Sequence, residues 1–360
     1  MKKSTRIFTS VIFGIALLSS ALFLNSCEKE ENESEGEDIE TSAELAITTI
    51  AEQNKSITQV LSVANIHALS DGITYKIMFN KNEQVFDLTD LTMLAQLQKV
   101  FSANEKIKVT FNPWQAKIEK INALTDKESA FYTSKQTPIK SGLAIDLKTI
   151  SFQDLLDNPA KLGVINTTSP GTGLTNVVPD MATAQLMFNY LTKQCCAISG
   201  PYGVDYCISF QYADDGCYAR AHKMCDVLNN KYHYATHKIF SFANTGGDVL
   251  SVQAQKWGGC CVNWWYHVAP LVSVKTPTGV KAFVFDPAMF DQPVLLSVWL
   301  HAQQNPVCAS WGTANVSMIN VQPTSSYAPA DYSGYAFYPD PAYTDTNATL
   351  VAYSNLLTCP

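Results

Sequence analysis

Residues 263–286 read NWWYHVAPLVSVKTPTGVKAFVFD. Two apolar runs, Asn263 to Lys275 and Val280 to Asp286, flank the turn-forming Thr276-Pro277-Thr278-Gly279. That pattern predicts a β-hairpin. Centring the hairpin between Pro277 and Thr278 sets Asp286 opposite Ala269. His267 and Ala269 have the same parity and so project to the same face. Asp286 is then the diagonal neighbour of His267, within reach of its imidazole. A carboxylate there would hold the tautomer of the ring and stabilise its charged form. Taken singly, His267 reads as a satisfied core histidine and Asp286 as a turn residue before Pro287. Their pairing depends on register, and a bulge would spoil it.

The nucleophile for such a pair lies upstream. Asp214-Asp215-Gly216-Cys217 reads as a turn, and Cys217 to Asn229 as a helix in which Cys217, Ala221, Met224, Cys225 and Leu228 share a core-facing side. A cysteine at a helix start stands beside unpaired N–H groups and the positive end of the helix dipole. That setting lowers a thiol pKa, and the same N–H groups can receive an oxyanion. On position alone, a buried or disulfide-bonded cysteine fits equally well. Cys217, His267 and Asp286 together supply a nucleophile, a base and an orienter in that chain order. Papain-like and transglutaminase-like folds use this placement. The expected class is therefore α+β, with a Cys-bearing helix packed on an antiparallel sheet that carries His and Asp.

The chain has 360 residues, room for two folding units, and a net charge of -7. Residues 28–40 carry eight acids against one lysine, which accounts for that excess. No stretch is strongly basic, so the electrostatic footprint of a nucleic-acid binder is missing. Residues 1–27 combine Lys2, Lys3 and Arg6 with an uncharged, mostly apolar run from Ile7 to Leu24, the pattern of an export signal. Leu24-Asn25-Ser26-Cys27 reads as a lipoprotein cleavage box with Cys27 lipidated; an ordinary signal peptide is the other reading. The run is at the short end for a membrane span, so membrane contact is expected only through an N-terminal lipid. The protein would then be secreted or held at a bacterial cell surface. Nine of the ten cysteines lie between 195 and 359. After export that clustering implies disulfides, and four pairs would leave one free thiol.

Residues 28–42 are expected to be a solvated acidic tether. Residues 43–165 are expected to form a small Cys-free α+β unit. In it, Ile50, Ile57, Val60 and Leu61 fit one helix face, and residues 73–79 and 107–111 read as strands. Leu94, Leu97 and Phe101 have helical spacing. Residues 166–173, Asn-Thr-Thr-Ser-Pro-Gly-Thr-Gly, form a linker signal and a segment open to proteolysis. From Leu174 onward there is no glutamate, and Trp, Tyr, Asn and Cys become frequent, which marks 174–360 as a second unit. A helix is expected around Asp180 to Leu191, a strand over Cys207 to Tyr212, and an ordered loop without period over residues 322–347.

Asp215-Gly216-Cys217-Tyr218-Ala219-Arg220-Ala221-His222-Lys223-Met224 closely resembles the nucleophile segment of the bacterial protein-glutaminases. Cys260-Cys261-Val262 followed by Trp265-Tyr266-His267-Val268-Ala269 resembles their histidine segment. Asp286-Pro287 with Phe290 resembles their aspartate segment, and Val178-Pro179-Asp180-Met181-Ala182-Thr183 the start of their mature enzyme. The resemblance implies a prepro-enzyme that hydrolyses protein-bound glutamine to glutamate and ammonia through a thioester on Cys217, with no metal and no cofactor. It also implies an intramolecular inhibitor in the pro-domain, an activating protease acting near Gly173, and protein substrates with exposed glutamine. Trp264 and Trp265 depart from the family pattern by their bulk. With Tyr266 they are candidate substrate contacts, although core packing explains at least one face of them.

The remaining candidates read as structural. His222 points roughly 140° away from Cys217 around the helix. Arg220 is structural or a rim contact. His233 and His237 would chelate a metal only on a helix, and Tyr234-Ala235-Thr236 suggest otherwise. Cys260 and Cys261 fit disulfides better than catalysis. The competing functions are a transglutaminase, a cysteine protease and a non-enzymatic surface lipoprotein.

Overall fold

The computed structural model describes residues 56–133, 137–148, 153–164, 173–196, 206–244 and 246–359. The expected signal, the lipidation site Cys27, the acidic tether and all of the linker but Gly173 lie outside these residues. The first half of the chain contributes β1 (Ile57–Ala68), β2 (Tyr75–Phe79), β3 (Asn82–Leu88), α1 (Leu91–Ala103), β4 (Lys106–Asn112), β5 (Lys117–Asn122), α2 (Asp126–Thr133), β6 (Leu143–Asp146) and α3 (Gln153–Leu156). The second half begins with α4 (Met181–Thr192), α5 (Cys217–Asn230), β7 (His237–Phe242), β8 (Asp248–Gln253), β9 (Cys261–Trp264) and β10 (Tyr266–Thr276). It continues with β11 (Gly279–Val284), β12 (Val294–Leu295), α6 (Leu296–Ala302), β13 (Thr313–Ala314), β14 (Met318–Pro323), β15 (Ser326–Pro329), β16 (Phe337–Pro339) and α7 (Thr344–Tyr353).

The structure is mixed α+β with two large sheets. One runs β12-β11-β10-β7-β14-β6 and the other β13-β8-β9-β3-β2-β1-β4-β5. Each sheet joins the two halves of the chain. β6, read from sequence as part of the pro-domain, is the edge strand beside β14. β3 meets β9 through Gln84 and Trp264. Among the described residues, no helix is long and apolar enough to cross a membrane.

β10 is buried along its first nine residues. Both faces are covered, which is why its sequence is a continuous apolar run rather than an alternation. Val268, Val272 and Val274 pack with α5 in one core cluster, while Ala269 and Leu271 belong to another. The β10–β11 register pairs Thr276 with Gly279 and Leu271 with Val284, as the hairpin reading requires. The chain breaks its strand between Trp264 and Tyr266, so the expected single strand from Asn263 is two, β9 and β10. Asp180 caps α4 by accepting the Thr183 N–H.

Four local expectations change. The stretch from Ile57 to Leu61 is the start of β1, not a helix; paired to β4 it buries Leu61 and half-buries Ile57, Gln59 and Val60, so apolar residues fall on both faces and the strand alternation is lost. Within Cys207 to Tyr212 the structure has turns and one bridge at Ile208 in place of a strand. The expected loop over 322–347 contains β15, β16 and the start of α7. Disulfides join Cys196–Cys207, Cys260–Cys359 and Cys261–Cys308, and two thiols, Cys217 and Cys225, are free among the described residues.

Candidate active site

Cys217 is the first residue of α5, after Gly216 at φ 89°. Only glycine holds that conformation without strain. A Cβ on Gly216 would also lie 2.9 Å from the Tyr353 ring. Ten of the fourteen α5 residues are buried, because β10 covers one side and α7 and β15 cover others. Arg220 is therefore not at a rim. It lies 2 % exposed and donates from Nη1 to the carbonyls of Tyr212 and Asp215, tying down the turn before Cys217.

His267 meets Asp286 as the register predicted. The ring donates from Nε2 to Asp286 Oδ2 at 2.8 Å, and the Trp299 indole N–H donates to the same oxygen at 2.9 Å. Trp264 stacks on the imidazole at 4.3 Å between centroids with 9° between planes, and Trp299 lies 5.5 Å from it at 27°. Two indole faces favour a charged ring. With Nε2 held, Nδ1 is the nitrogen that faces Cys217.

Glu83, at the start of β3, fills that space. Its Oε2 accepts a hydrogen bond from His267 Nδ1 at 3.0 Å, and its Oε1 accepts the Cys217 backbone N–H at 3.1 Å. Arg220 Nη2 lies 3.4 Å from Oε1. Donor atoms of Glu83, Cys217 and His267 all fall within 4.8 Å of one another. Glu83 has 0 % exposure. No local pattern in the sequence marks this glutamate or Trp299, because their partners lie far along the chain.

The charges follow from this packing. Burial pushes the His267 pKa down, but the Asp286 and Glu83 carboxylates outweigh it and raise it to about 9. Burial alone would raise Asp286, yet His267 and the Trp299 N–H leave its pKa lowered. Cys217 was expected to have a lowered pKa at the helix start. Burial and then the Glu83 charge instead push it well up, against the weaker pull of Arg220. With Glu83 in place, imidazolium pairs with a carboxylate and the thiol stays protonated. A pKa raised above its unfolded value stabilises the fold fully below about pH 6.5 and loses that contribution as pH rises through about 9. Over the same range buried Lys238, whose pKa is lowered to about 7, works in the opposite direction. The His267 contribution is therefore read as a difference: between pH 7 and pH 9.5 the melting temperature of the full-length chain should fall by up to roughly 5 °C relative to that of Glu83→Ala, as followed by calorimetry.

The other candidate histidines stand outside this cluster. His222 takes a hydrogen from Lys238 Nζ at Nδ1 and donates from Nε2 to the Asp340 carbonyl. His233 sits at φ 58° and His237 opens β7, so they do not share a helix face. Of the three aromatic candidates, Trp264 lies flat against His267, Tyr266 is buried beside Phe240 and Phe242, and Trp265 touches the Glu83 segment directly.

A family model described as Glutaminase matches residues 184–303, the span that contains Cys217, His267 and Asp286. A solved pro-protein-glutaminase is 25% identical over 85% of this chain and 95% of its own, with a TM-score of 0.59. The chain belongs to the protein-glutaminase family. A further relative, the protein-glutaminase from Chryseobacterium proteolyticum, is 35% identical over 52% of this chain and 93% of its own, with a TM-score of 0.43. No curated protein matches the chain. The likeness to the solved proenzyme extends across both halves of this member, including the half that carries Glu83.

Proposed function

We propose that this chain is the latent precursor of a protein-glutaminase, an amidohydrolase that converts protein-bound glutamine to glutamate and ammonia. The observation that carries the reading is a glutamate side chain seated between the Cys217 N–H and the His267 ring. Glutamate is what the reaction leaves behind, so Glu83 has the form of a bound product. The catalytic unit, 174–360, is read as a papain- or transglutaminase-like domain.

In the open site, His267 draws the thiol proton through Nδ1, and Cys217 Sγ attacks the carboxamide carbon. The Cys217 N–H, now held by Glu83, becomes a donor to the developing oxyanion. Protonated His267 gives its proton to the departing ammonia. Water, deprotonated by His267, then attacks the thioester, and glutamate and the thiol are released. Asp286 stays ionised and keeps Nε2 occupied throughout. Besides the substrate and water, the steps draw on side chains and backbone of this chain, and Cys217, His267 and Asp286 are their proposed agents.

The rest of the proposed life history follows the chain. Residues 1–27 direct export, with Cys27 as lipid anchor, and residues 28–42 are the tether. Residues 43–165 inhibit through Glu83, and a protease cuts within 166–173 to release that hold. Support comes from the charge pattern, the composition break at Leu174 and the seating of Glu83. On a casein-type substrate the cleaved chain should release ammonia at least about 10²-fold faster than the uncleaved chain, without cross-links or new amino termini. Cross-linked product would support acyl transfer to lysine instead, and new amino termini would support a protease. Equal rates before and after cleavage would remove the latency.

A further inference from the structure

The segment in the cleft is held by its main chain as well as by its carboxylate. The Glu83 N–H donates to Asp215 Oδ1 at 2.9 Å. The Glu83 carbonyl accepts the Trp265 backbone N–H at 3.1 Å, and the Asn82 carbonyl accepts the Trp265 indole N–H at 2.8 Å. Gln84 pairs antiparallel with Trp264, so β3 lies along β9 as an added strand. Asp215 and Trp265 both have 0 % exposure. The Tyr353 and Tyr218 hydroxyls donate to Asp215 Oδ2, which fixes the carboxyl and turns Oδ1 toward the occupant. The acyl-transfer steps themselves do not employ Asp215.

We infer that Asp215 and Trp265 are specificity-determining residues that read the main chain of the residue being deamidated. Asp215 Oδ1 takes its N–H, while Trp265 takes its carbonyl and the carbonyl of the residue before it. The inference rests on the glutaminase reading, with Glu83 standing where the substrate side chain arrives. All three contacts go to groups that every peptide linkage has. The site therefore demands an extended backbone laid along β9 and is tolerant of neighbouring side chains, as in recognition by strand addition. A buried carboxyl built to receive an N–H rejects a ligand that lacks one, because its acceptor is then left dry and unpaired.

The test uses the wild-type full chain cut within 166–173 and three blocked peptides, with ammonia release as readout. The parent peptide has one glutamine. In the second, the glutamine N–H is replaced by an ester oxygen. In the third, the ester sits one residue earlier, at the position of Asn82, which pairs with Phe79 inside its own hairpin. Expected is a fall in kcat/KM of about 10- to 100-fold for the second peptide and less than about threefold for the third. Equal kcat/KM for the parent and the second peptide would overturn the inference while leaving the glutaminase reading intact. A parent peptide that releases no ammonia would remove both. Asp215→Ala should abolish the difference between parent and second peptide, a cancellation that general loss of structure would not produce.

Discussion

Cys217→Ser should lower ammonia release from the cleaved chain by about 10⁴-fold or more. The hydroxyl that replaces the thiol is far less acidic, and nothing in this pocket would ionise it. Asp286 and His267 form a pair suited to a thiolate, which is the stronger nucleophile near neutral pH. The loss should be in kcat, because the groups that hold the substrate remain. Stability should change by no more than about 1–2 kcal/mol, the cost of placing a small hydroxyl among buried partners. Cys225 is the natural control. It is the second free thiol among the described residues, about two turns from Cys217 in the same helix, with its Sγ 3.8 Å from the His237 carbonyl. Burial raises its pKa. Cys225→Ser should keep most of the activity. Retention of more than about 1% of the rate in Cys217→Ser would place the nucleophile elsewhere.

The ease with which this site could be read varies with the range of the contacts involved. His267 and Asp286 are nineteen positions apart across a single turn, and one assumption about that turn sets their meeting, which the 2.8 Å contact bears out. Cys217 could be placed at a helix start because glycine and the apolar spacing after it are local signals. Glu83 is different. It reaches His267 across a separation of 184 residues, and its neighbours show only that it lies in a strand. Burial of its carboxylate is also contrary to what an isolated glutamate does. The same limit explains the start of β1, where pairing to the distant β4 decides the strand and the residue spacing suggests a helix. It explains the thiol as well. A helix start lowers a cysteine pKa only while solvent or a cation is near, and the strand laid across Cys217 removes the first and adds an anion.

Replacing Asp286 separates its two duties. One is orientation, since its Oδ2 receives N–H groups from both His267 and Trp299. The other is charge, since burial opposes a protonated ring and the Asp286 carboxylate is the leading influence that restores it. Asp286→Ala removes both and leaves two buried donors unpaired. The expected loss in kcat is about 10³- to 10⁴-fold, the scale seen when an acid is removed from a triad. Asp286→Asn retains one oxygen that can accept from both donors, so the tautomer that leaves Nδ1 free for Cys217 should survive. What it loses is charge, and the imidazolium in the cleaved enzyme should become less stable. A smaller fall, about 10²-fold near neutral pH, is expected, along with a lower pKa on the alkaline limb of the rate profile. Rates across pH 5 to 10 for the three proteins decide the matter. If asparagine is as damaging as alanine, orientation is not preserved and the shared oxygen is not what holds the ring. If asparagine is harmless, the charge is idle in the cleaved enzyme, and Asp286 acts there as a hydrogen-bond acceptor alone.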